Sequence, residues 1–91
     1  MAQASSEAIV VRLPAHVDLH ARPAADFVRT AMGFGAEVQV STGEREANAK
    51  SLLSVLALGA KGGTELRLSA TGDDAVAAIE SLSARVATLS D

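Results

Sequence analysis

Strict alternation of apolar and polar residues over short segments is the feature that most constrains the fold of this chain. Between residues 64 and 70, Leu66 and Leu68 fall on one side of an extended chain, whereas Glu65 and Arg67 fall on the other. Because successive side chains of a strand point to opposite faces, this pattern predicts a strand with one dry face. Strands of this kind form antiparallel sheets with one solvated face. The dry face must be covered by other elements, and helices are expected there.

Three further segments predict strands. Residues 9–13 are rich in β-branched side chains and end at Pro14, and residues 36–40 alternate in the same way as the first segment. Residues 44–49 follow the turn signal Thr42-Gly43 and are polar enough for an edge strand. The sequence therefore predicts four strands, two of them joined by a hairpin.

Apolar residues spaced three and four apart predict three helices. The first begins near residue 21 with Pro23 in its first turn, the second runs from an N-cap at Ser51 to Gly59, and the third is capped by Asp73. A buried strand is the alternative for the second segment, because its apolar composition suits either element. The buried side of the third helix is expected to carry Val76, Ile79, Leu82, Val86 and Leu89. The order βαββαβα predicts an α/β (α+β) fold, a two-layer open-faced sandwich with a four-stranded antiparallel sheet and three helices on one face.

Length and composition indicate one small domain. The chain has 91 residues, 48% of them apolar, which is enough for one hydrophobic core. We therefore expect a single domain over residues 1–91, with residues 1–7 as a loose N-terminal extension. The chain has no run of about 18 apolar residues and no signal-peptide pattern at its N-terminus. We therefore expect no membrane insertion and a cytoplasmic location. The absence of cysteine excludes disulfides and thiol catalysis.

The charged residues and histidines narrow the classes of ligand. Eight basic and eleven acidic residues are scattered along the chain and give a net charge of −3, so a nucleic-acid partner is not expected. His16 and His20 have the spacing of metal ligands on one helix face, but Pro14 and the loop character of the intervening residues argue against a helix there. We expect a monomer that binds no metal and no cofactor.

The segment His20-Ala21-Arg22-Pro23 is suited to phosphate chemistry. It places an imidazole and a guanidinium at the start of the first helix, where unpaired backbone N–H groups and the positive end of the helix dipole attract anions. That positive end disfavours an imidazolium, so a neutral and nucleophilic ring is expected. Such a ring can hold a phosphoryl group as phosphohistidine. The alternatives are an ordinary cap histidine, and an Arg22 that pairs with Asp26 one turn later.

Three segments together resemble the HPr family, the histidine-containing phosphocarriers of the bacterial sugar phosphotransferase system. They are Leu19-His20-Ala21-Arg22-Pro23-Ala24, residues 49–59 with the sequence AKSLLSVLALG, and Lys61-Gly62-Gly63-Thr64. They occur in the order that the family shows, and the resemblance covers roughly residues 8–90. Their joint occurrence is specific, whereas the His-x-Arg-Pro motif alone would be weak.

The resemblance implies a phosphoryl relay. Enzyme I receives the phosphoryl group from phosphoenolpyruvate and passes it to the histidine of HPr, which donates it to sugar-specific IIA components. On this chain the carrier is expected to be His20, through Nδ1, in a shallow and exposed site. That nitrogen is expected to face the backbone amides of Ala21 and Arg22, while the Arg22 guanidinium neutralises the phosphate. The chain would then be a carrier with transferase-type chemistry rather than a turnover enzyme.

The resemblance also implies a docking surface on the second helix. The matching apolar residues are Leu52, Leu53 and Leu56, with the cations Arg29 and Lys50 beside them. By spacing, Val55 and Leu58 are better candidates for the core. An exposed apolar patch rimmed by cations is expected to suit transient docking to acidic partners.

Ser51 has two compatible interpretations. It is a good helix N-cap, and it matches the serine that a dedicated kinase modifies in Gram-positive relatives. A phosphate there would add about −1.5 to −2 charge beside the docking residues. The alternative function is a regulatory module of the same fold, in a nitrogen-linked relay or as a partner-binding regulator. A small ligand-binding domain is a third possibility, but the sequence carries no polar pocket signature for it.

Overall fold

The computed structural model describes residues 5–90 and has the predicted order of elements. The elements are β1 (Ser5–Arg12), α1 (Ala21–Met32), β2 (Glu37–Thr42), β3 (Arg45–Asn48), α2 (Leu52–Ala57), β4 (Glu65–Gly72) and α3 (Ala75–Thr88). The four strands form one antiparallel sheet in the order β1-β4-β2-β3. The predicted fold class, an open-faced sandwich with three helices, is confirmed.

The core lies between the inner face of the sheet and the helices. Strand β4 is central and alternates as its sequence predicts, with Leu66 and Leu68 fully buried and Glu65 and Arg67 exposed. Helix α1 buries Pro23, Ala24, Phe27, Val28 and Ala31. Helix α3 packs on β1, β4 and α1, and α1 also contacts α2. These contacts leave the N-terminus of α1 open at one end of the sandwich.

Strand β1 begins earlier than the sequence predicts. Residues 5–7 pair with residues 72–70 of β4, so this part of the chain is not the loose extension that we expected. Residues 1–4 lie outside the described residues. The polar residues 5–7 carry little strand signal, but β4 continues to Gly72 and offers backbone N–H and C=O groups that a neighbouring strand can satisfy. The length of the partner strand therefore sets the start of β1.

The buried side of α3 differs from the prediction at one residue. Val76 is 48% exposed, whereas Ala75 and Ala78 are buried together with Ile79 and Leu82. At 3.6 residues per turn, Val76 lies about 100° from Ala75 around the helix axis. The two small alanines let the helix approach the sheet closely, so the larger apolar residue faces solvent.

Asp74, rather than Asp73, is the N-cap residue of α3, and its carboxylate has a different use from the one expected. It makes no cap hydrogen bond, and instead accepts from the backbone N–H groups of Gly35 at 2.8 Å and Ala36 at 2.7 Å. The bond from Gly35, followed by the bond from Ala36 and the nearby charge of Lys50, lowers the pKa of Asp74, and partial desolvation opposes the shift. The carboxylate therefore ties the loop after α1 to the start of α3.

We predict that Asp74→Asn destabilises the fold near neutral pH, because Gly35 and Ala36 then lose their charged acceptor. The folded-state pKa is lowered, so the stabilisation is present above the ordinary aspartate pKa of about 3.9 and is lost as pH falls through the folded value. Urea unfolding at about pH 7 and about pH 3 should show a greater difference from the wild type at the higher pH. The exposed neighbour Asp73→Asn serves as control and should match the wild type, and equal stability of Asp74→Asn near pH 7 would refute the role.

Candidate phosphoryl-transfer site

His20 lies on the surface immediately before the first residue of α1. It is the N-cap residue, with extended backbone angles of φ −137° and ψ 171°, and its carbonyl accepts the N–H of Ala24 at 3.2 Å. The imidazole is exposed and lines a depression together with Ala21, Arg22 and Pro23. The exposed histidine at the positive end of a helix has the position that the sequence predicts.

The loop before His20 is held by buried apolar side chains. Val17 and Leu19 are both buried, and the N–H of Leu19 donates to the carbonyl of Ala60 at 2.8 Å. The N–H of Val17 donates to the carbonyl of Pro14 at 3.1 Å. His20 is therefore carried by a chain segment that core packing fixes on both sides of Asp18.

The His20 ring does not have the orientation that we expected. Nδ1 lies 3.1 Å from the main-chain carbonyl oxygen of Asp18 and, within residues 5–90, makes no hydrogen bond to the amides of α1. A carbonyl oxygen only accepts hydrogen bonds, so Nδ1 carries a proton in this orientation. In the neutral ring the unprotonated nitrogen is then Nε2. The expected Nδ1 orientation is wrong for this state, because a carbonyl two residues earlier competes for the same nitrogen.

The first turn of α1 supplies two free amides to the site. An α-helix leaves its first N–H groups without intrahelical acceptors, but Pro23 has no N–H and the N–H of Ala24 already donates to His20. The N–H groups of Ala21 and Arg22 therefore remain for an anion. Ala21 also has a φ of +38°, in the left-handed region that an L-residue rarely adopts. Strained backbone of this kind is concentrated at functional sites.

Arg22 is exposed at the start of α1. Within residues 5–90 no carboxylate lies within 4.0 Å of it. The alternative pairing with Asp26 is not formed, because Asp26 instead lies 3.8 Å from Arg29 and 3.7 Å from Arg85. The imidazole, the guanidinium and the two amides thus share one end of α1.

Ser51 caps α2 as predicted. Its hydroxyl oxygen accepts the N–H of Ser54 at 3.3 Å, and its backbone is extended. Gly59, with a φ of +63°, follows the C-cap residue Leu58, so the predicted end of the helix also holds.

The predicted docking residues divide between surface and core. Leu53 is 80% exposed and Leu52 is 40% exposed, whereas Leu56 is half-buried against the core. The core candidates Val55 and Leu58 are both buried, as expected. The apolar surface of α2 therefore consists mainly of its first two residues.

The two predicted docking cations differ in how firmly their charged groups are already bound within the chain. The ammonium of Lys50 donates to the carbonyl of Phe34 at 2.6 Å, so it is held against the loop after α1 instead of extending to solvent. Arg29 is exposed and only loosely paired with Asp26. Met32, a residue that was not predicted for the docking surface, is exposed and lines a groove between α1 and α2 with Arg29, Lys50 and Leu52. The available signal was a large apolar residue in the last turn of α1 that lies outside the i, i+3, i+4, i+7 set buried by that helix.

The described residues show neither a metal centre nor a membrane span. Within residues 5–90, no group of three or more His, Cys, Asp or Glu side chains is arranged to hold a metal ion. Every helix in the same part of the chain is too short or too polar to traverse a bilayer.

Comparison with known proteins agrees with this geometry. Residues 7–88 match the sequence profile of the family described as PTS HPr component phosphorylation site. The chain belongs to the HPr family. It is 43% identical over 79 residues to the phosphocarrier protein HPr of Haemophilus influenzae, covering 87% of this chain and 93% of that protein. These similarities assign the chain to the HPr phosphocarriers of the phosphotransferase system.

Solved structures of HPr proteins have the same fold. The crystal structure of HPr-C-His from Thermoanaerobacter tengcongensis superposes with a TM-score of 0.86 at 35% identity, over 90% of this chain and 92% of that one. Crh, the catabolite repression HPr of Bacillus subtilis, superposes with a TM-score of 0.71 at 38% identity in its solution structure, over 90% of this chain and 95% of that one. The HPr fold thus accounts for nearly the whole described chain.

We predict that Ala21→Gly stabilises this HPr chain, since glycine adopts a positive φ without the Cβ penalty of about 1–2 kcal/mol. The greater freedom of glycine in the unfolded chain offsets about 0.5–1 kcal/mol of that relief. The free energy of unfolding, measured by urea denaturation, should rise by about 0.5–1 kcal/mol. For Ala25→Gly, at an ordinary position of the same helix, the free energy of unfolding should fall by about 0.5–1 kcal/mol. A loss of stability in Ala21→Gly would show that this backbone is not strained.

Proposed function

We propose that this chain accepts a phosphoryl group on His20 from phosphorylated enzyme I and donates it to sugar-specific IIA components. One observation carries the proposal: an exposed imidazole shares the open end of α1 with the N–H groups of Ala21 and Arg22 and with a guanidinium that pairs with no carboxylate of residues 5–90. These groups match the charge and hydrogen-bonding needs of a phosphoryl group. The proposal also implies a cytoplasmic monomer that meets its partners in turn.

Transfer to Nδ1 requires the ring to leave its resting orientation. The hydrogen bond to the Asp18 carbonyl breaks, and exchange with solvent moves the ring proton from Nδ1 to Nε2. The Nδ1 lone pair then forms the bond to phosphorus, while the bond from phosphorus to enzyme I breaks and its electron pair stays with enzyme I. The two amides and Arg22 stabilise the negative charge on the phosphoryl oxygens. Donation to a IIA component follows the same steps in reverse.

Exposure of the site suits a carrier. Catalysis of each transfer depends on stabilising the transition state more than the phosphorylated intermediate. A deeply buried phosphate would hold the intermediate too strongly and slow the next step. On this chain His20, Ala21 and Arg22 are all exposed, so the partner proteins complete the surroundings of the phosphoryl group.

We predict that His20→Ala abolishes phosphorylation. The protein is incubated with phosphoenolpyruvate and enzyme I, and the adduct is followed by intact mass and phosphorus NMR. The wild type should gain an acid-labile phosphoryl adduct, and His16→Ala, which removes the other histidine, should gain it equally. Arg22→Ala should lower the initial rate about tenfold, the size of one charge-assisted hydrogen bond. An unlabelled wild type, under conditions that label a known carrier, would remove the proposed function.

The docking surface is proposed to be the groove between α1 and α2 together with the start of α2. Leu52 and Leu53 are exposed apolar residues, Met32 flanks them, and Arg29 supplies a cation at the rim. A small apolar centre with a charged rim is the arrangement of a transient protein interface. Lys50 contributes mainly by holding the loop at Phe34, since its ammonium is already bound there.

We predict that Leu53→Ser weakens the binding of enzyme I about tenfold without changing stability, because Leu53 is largely exposed and contributes little to the core. The dissociation constant is measured by calorimetric titration. Val76→Ser is the matched control, as it removes a similar exposed apolar side chain from α3. Unchanged binding of Leu53→Ser would place the interface elsewhere.

Ser51 is proposed to serve as a regulatory phosphorylation site for a serine kinase and phosphorylase, besides its role as N-cap. The hydroxyl is half-buried and bonded to Ser54, and it immediately precedes the exposed residues Leu52 and Leu53. A phosphate at a helix N-terminus is favoured by the dipole, so the helix would persist. The added negative charge would repel acidic partners from the docking surface.

A regulatory module is the second candidate function, because the chain is 38% identical to Crh, whose structure is described as that of a catabolite repression HPr. Such a module would bind regulators or serve a nitrogen-linked relay instead of sugar uptake. The retained His20 favours the carrier. Labelling by enzyme I followed by transfer to sugar-specific IIA components separates the two functions.

A further inference from the structure

The loop that carries His20 is tied to the loop before β4 through Asp18. One carboxylate oxygen of Asp18 accepts the backbone N–H of Gly62 at 2.8 Å, and the other lies 4.0 Å from the ammonium of Lys61. The Lys61 pair is largely exposed and contributes little, so the bond from Gly62 is the main tie. The two loops are also in close backbone contact, since a Cβ at Gly62 would collide with the carbonyl of Ala15.

The main-chain carbonyl of Asp18 holds His20. It accepts the backbone N–H of His20 at 2.9 Å and the ring Nδ1–H at 3.1 Å. Buried Val17 and Leu19 restrict the backbone on each side of Asp18. One residue is therefore anchored by its side chain and orients the imidazole by its backbone.

We propose that Asp18 is a positioning residue that stores the His20 ring in a resting orientation. In that orientation Nδ1 is protonated and donates to the Asp18 carbonyl, so in the neutral ring the lone pair is on Nε2. The carboxylate anchor on Gly62 sets the population of this state. The consequence for transfer rests on the proposed function, whereas the ring orientation does not.

The test is the tautomer of His20 in the full, unphosphorylated chain. Long-range proton–nitrogen NMR spectra of nitrogen-15-labelled protein, at about pH 9 where histidine is ordinarily neutral, report which ring nitrogen carries the proton. In the wild type the protonated nitrogen of His20 should be Nδ1. His16, the other histidine of the chain, is exposed and serves as internal reference in the same spectrum.

Variants of Asp18 separate the side-chain anchor from the rest of the loop. Asp18→Ala should lower the ratio of the Nδ1–H to the Nε2–H form about two- to tenfold, the effect of weakening one neutral hydrogen bond. Asp18→Asn should keep the wild-type ratio, because its amide oxygen still accepts the N–H of Gly62. Asp73→Ala is the control for loss of an exposed carboxylate, and it should leave the ratio of the two His20 tautomers unchanged.

Three results would overturn the proposal. These are a wild-type His20 protonated on Nε2, an Asp18→Ala spectrum identical to that of the wild type, and an Asp18→Asn variant that behaves like Asp18→Ala. Where the Ala variant fails to fold, the wild-type measurement still decides the ring orientation, and an Asp18→Asn ratio that differs from the wild-type ratio would overturn the role of the anchor. Enzyme I is absent from this experiment, so failure of phosphorylation in the separate labelling assay would remove the proposed function and leave the ring orientation intact.

Discussion

The burial of Leu19, one residue before His20, is the constraint on which the functional surface depends. Its side chain is only 1% exposed, and its N–H is bonded to the carbonyl of Ala60. Adjacent side chains of an extended chain point to opposite sides, so a buried Leu19 turns the extended residue His20 outward. The exposed imidazole is therefore a consequence of core packing, and the same packing holds it at the tip of α1.

The chemistry of the site comes mostly from backbone geometry. Pro23 is buried in the first turn of α1 and lacks an N–H, so the anion-binding amides are those of Ala21 and Arg22. The positive φ of Ala21 brings the chain into the helix directly after the imidazole. Phosphoryl transfer needs positioning and charge stabilisation more than covalent participation by many groups. A single histidine at a helix N-terminus whose position is fixed by core packing meets these two requirements.

Local periodicity was sufficient for most of the fold. The alternation around Leu66 and Leu68 and the buried stripe of α1 were predicted correctly, because each pattern repeats within one element. The prediction was wrong where contacts with a distant part of the chain set the structure. Residues 5–7 form part of β1 because β4 is long enough to pair with them. Val76 faces solvent because the burial of Ala75 and Ala78 sets the rotation of α3. The position of His20 was predicted from its neighbours, whereas the orientation of its ring was not.

The sequence by itself determined the order of the elements, the helix that begins after His20, and the N-cap at Ser51, since all of these depend on residues within a few positions of one another. Tertiary structure alone decided the orientation of the His20 ring and the partners of Lys50 and Asp74. Their partners are main-chain carbonyl and N–H groups at Asp18, Phe34 and Gly35. Nearly every residue carries the same main-chain groups, so no side-chain pattern reveals which of them the fold will bring within reach.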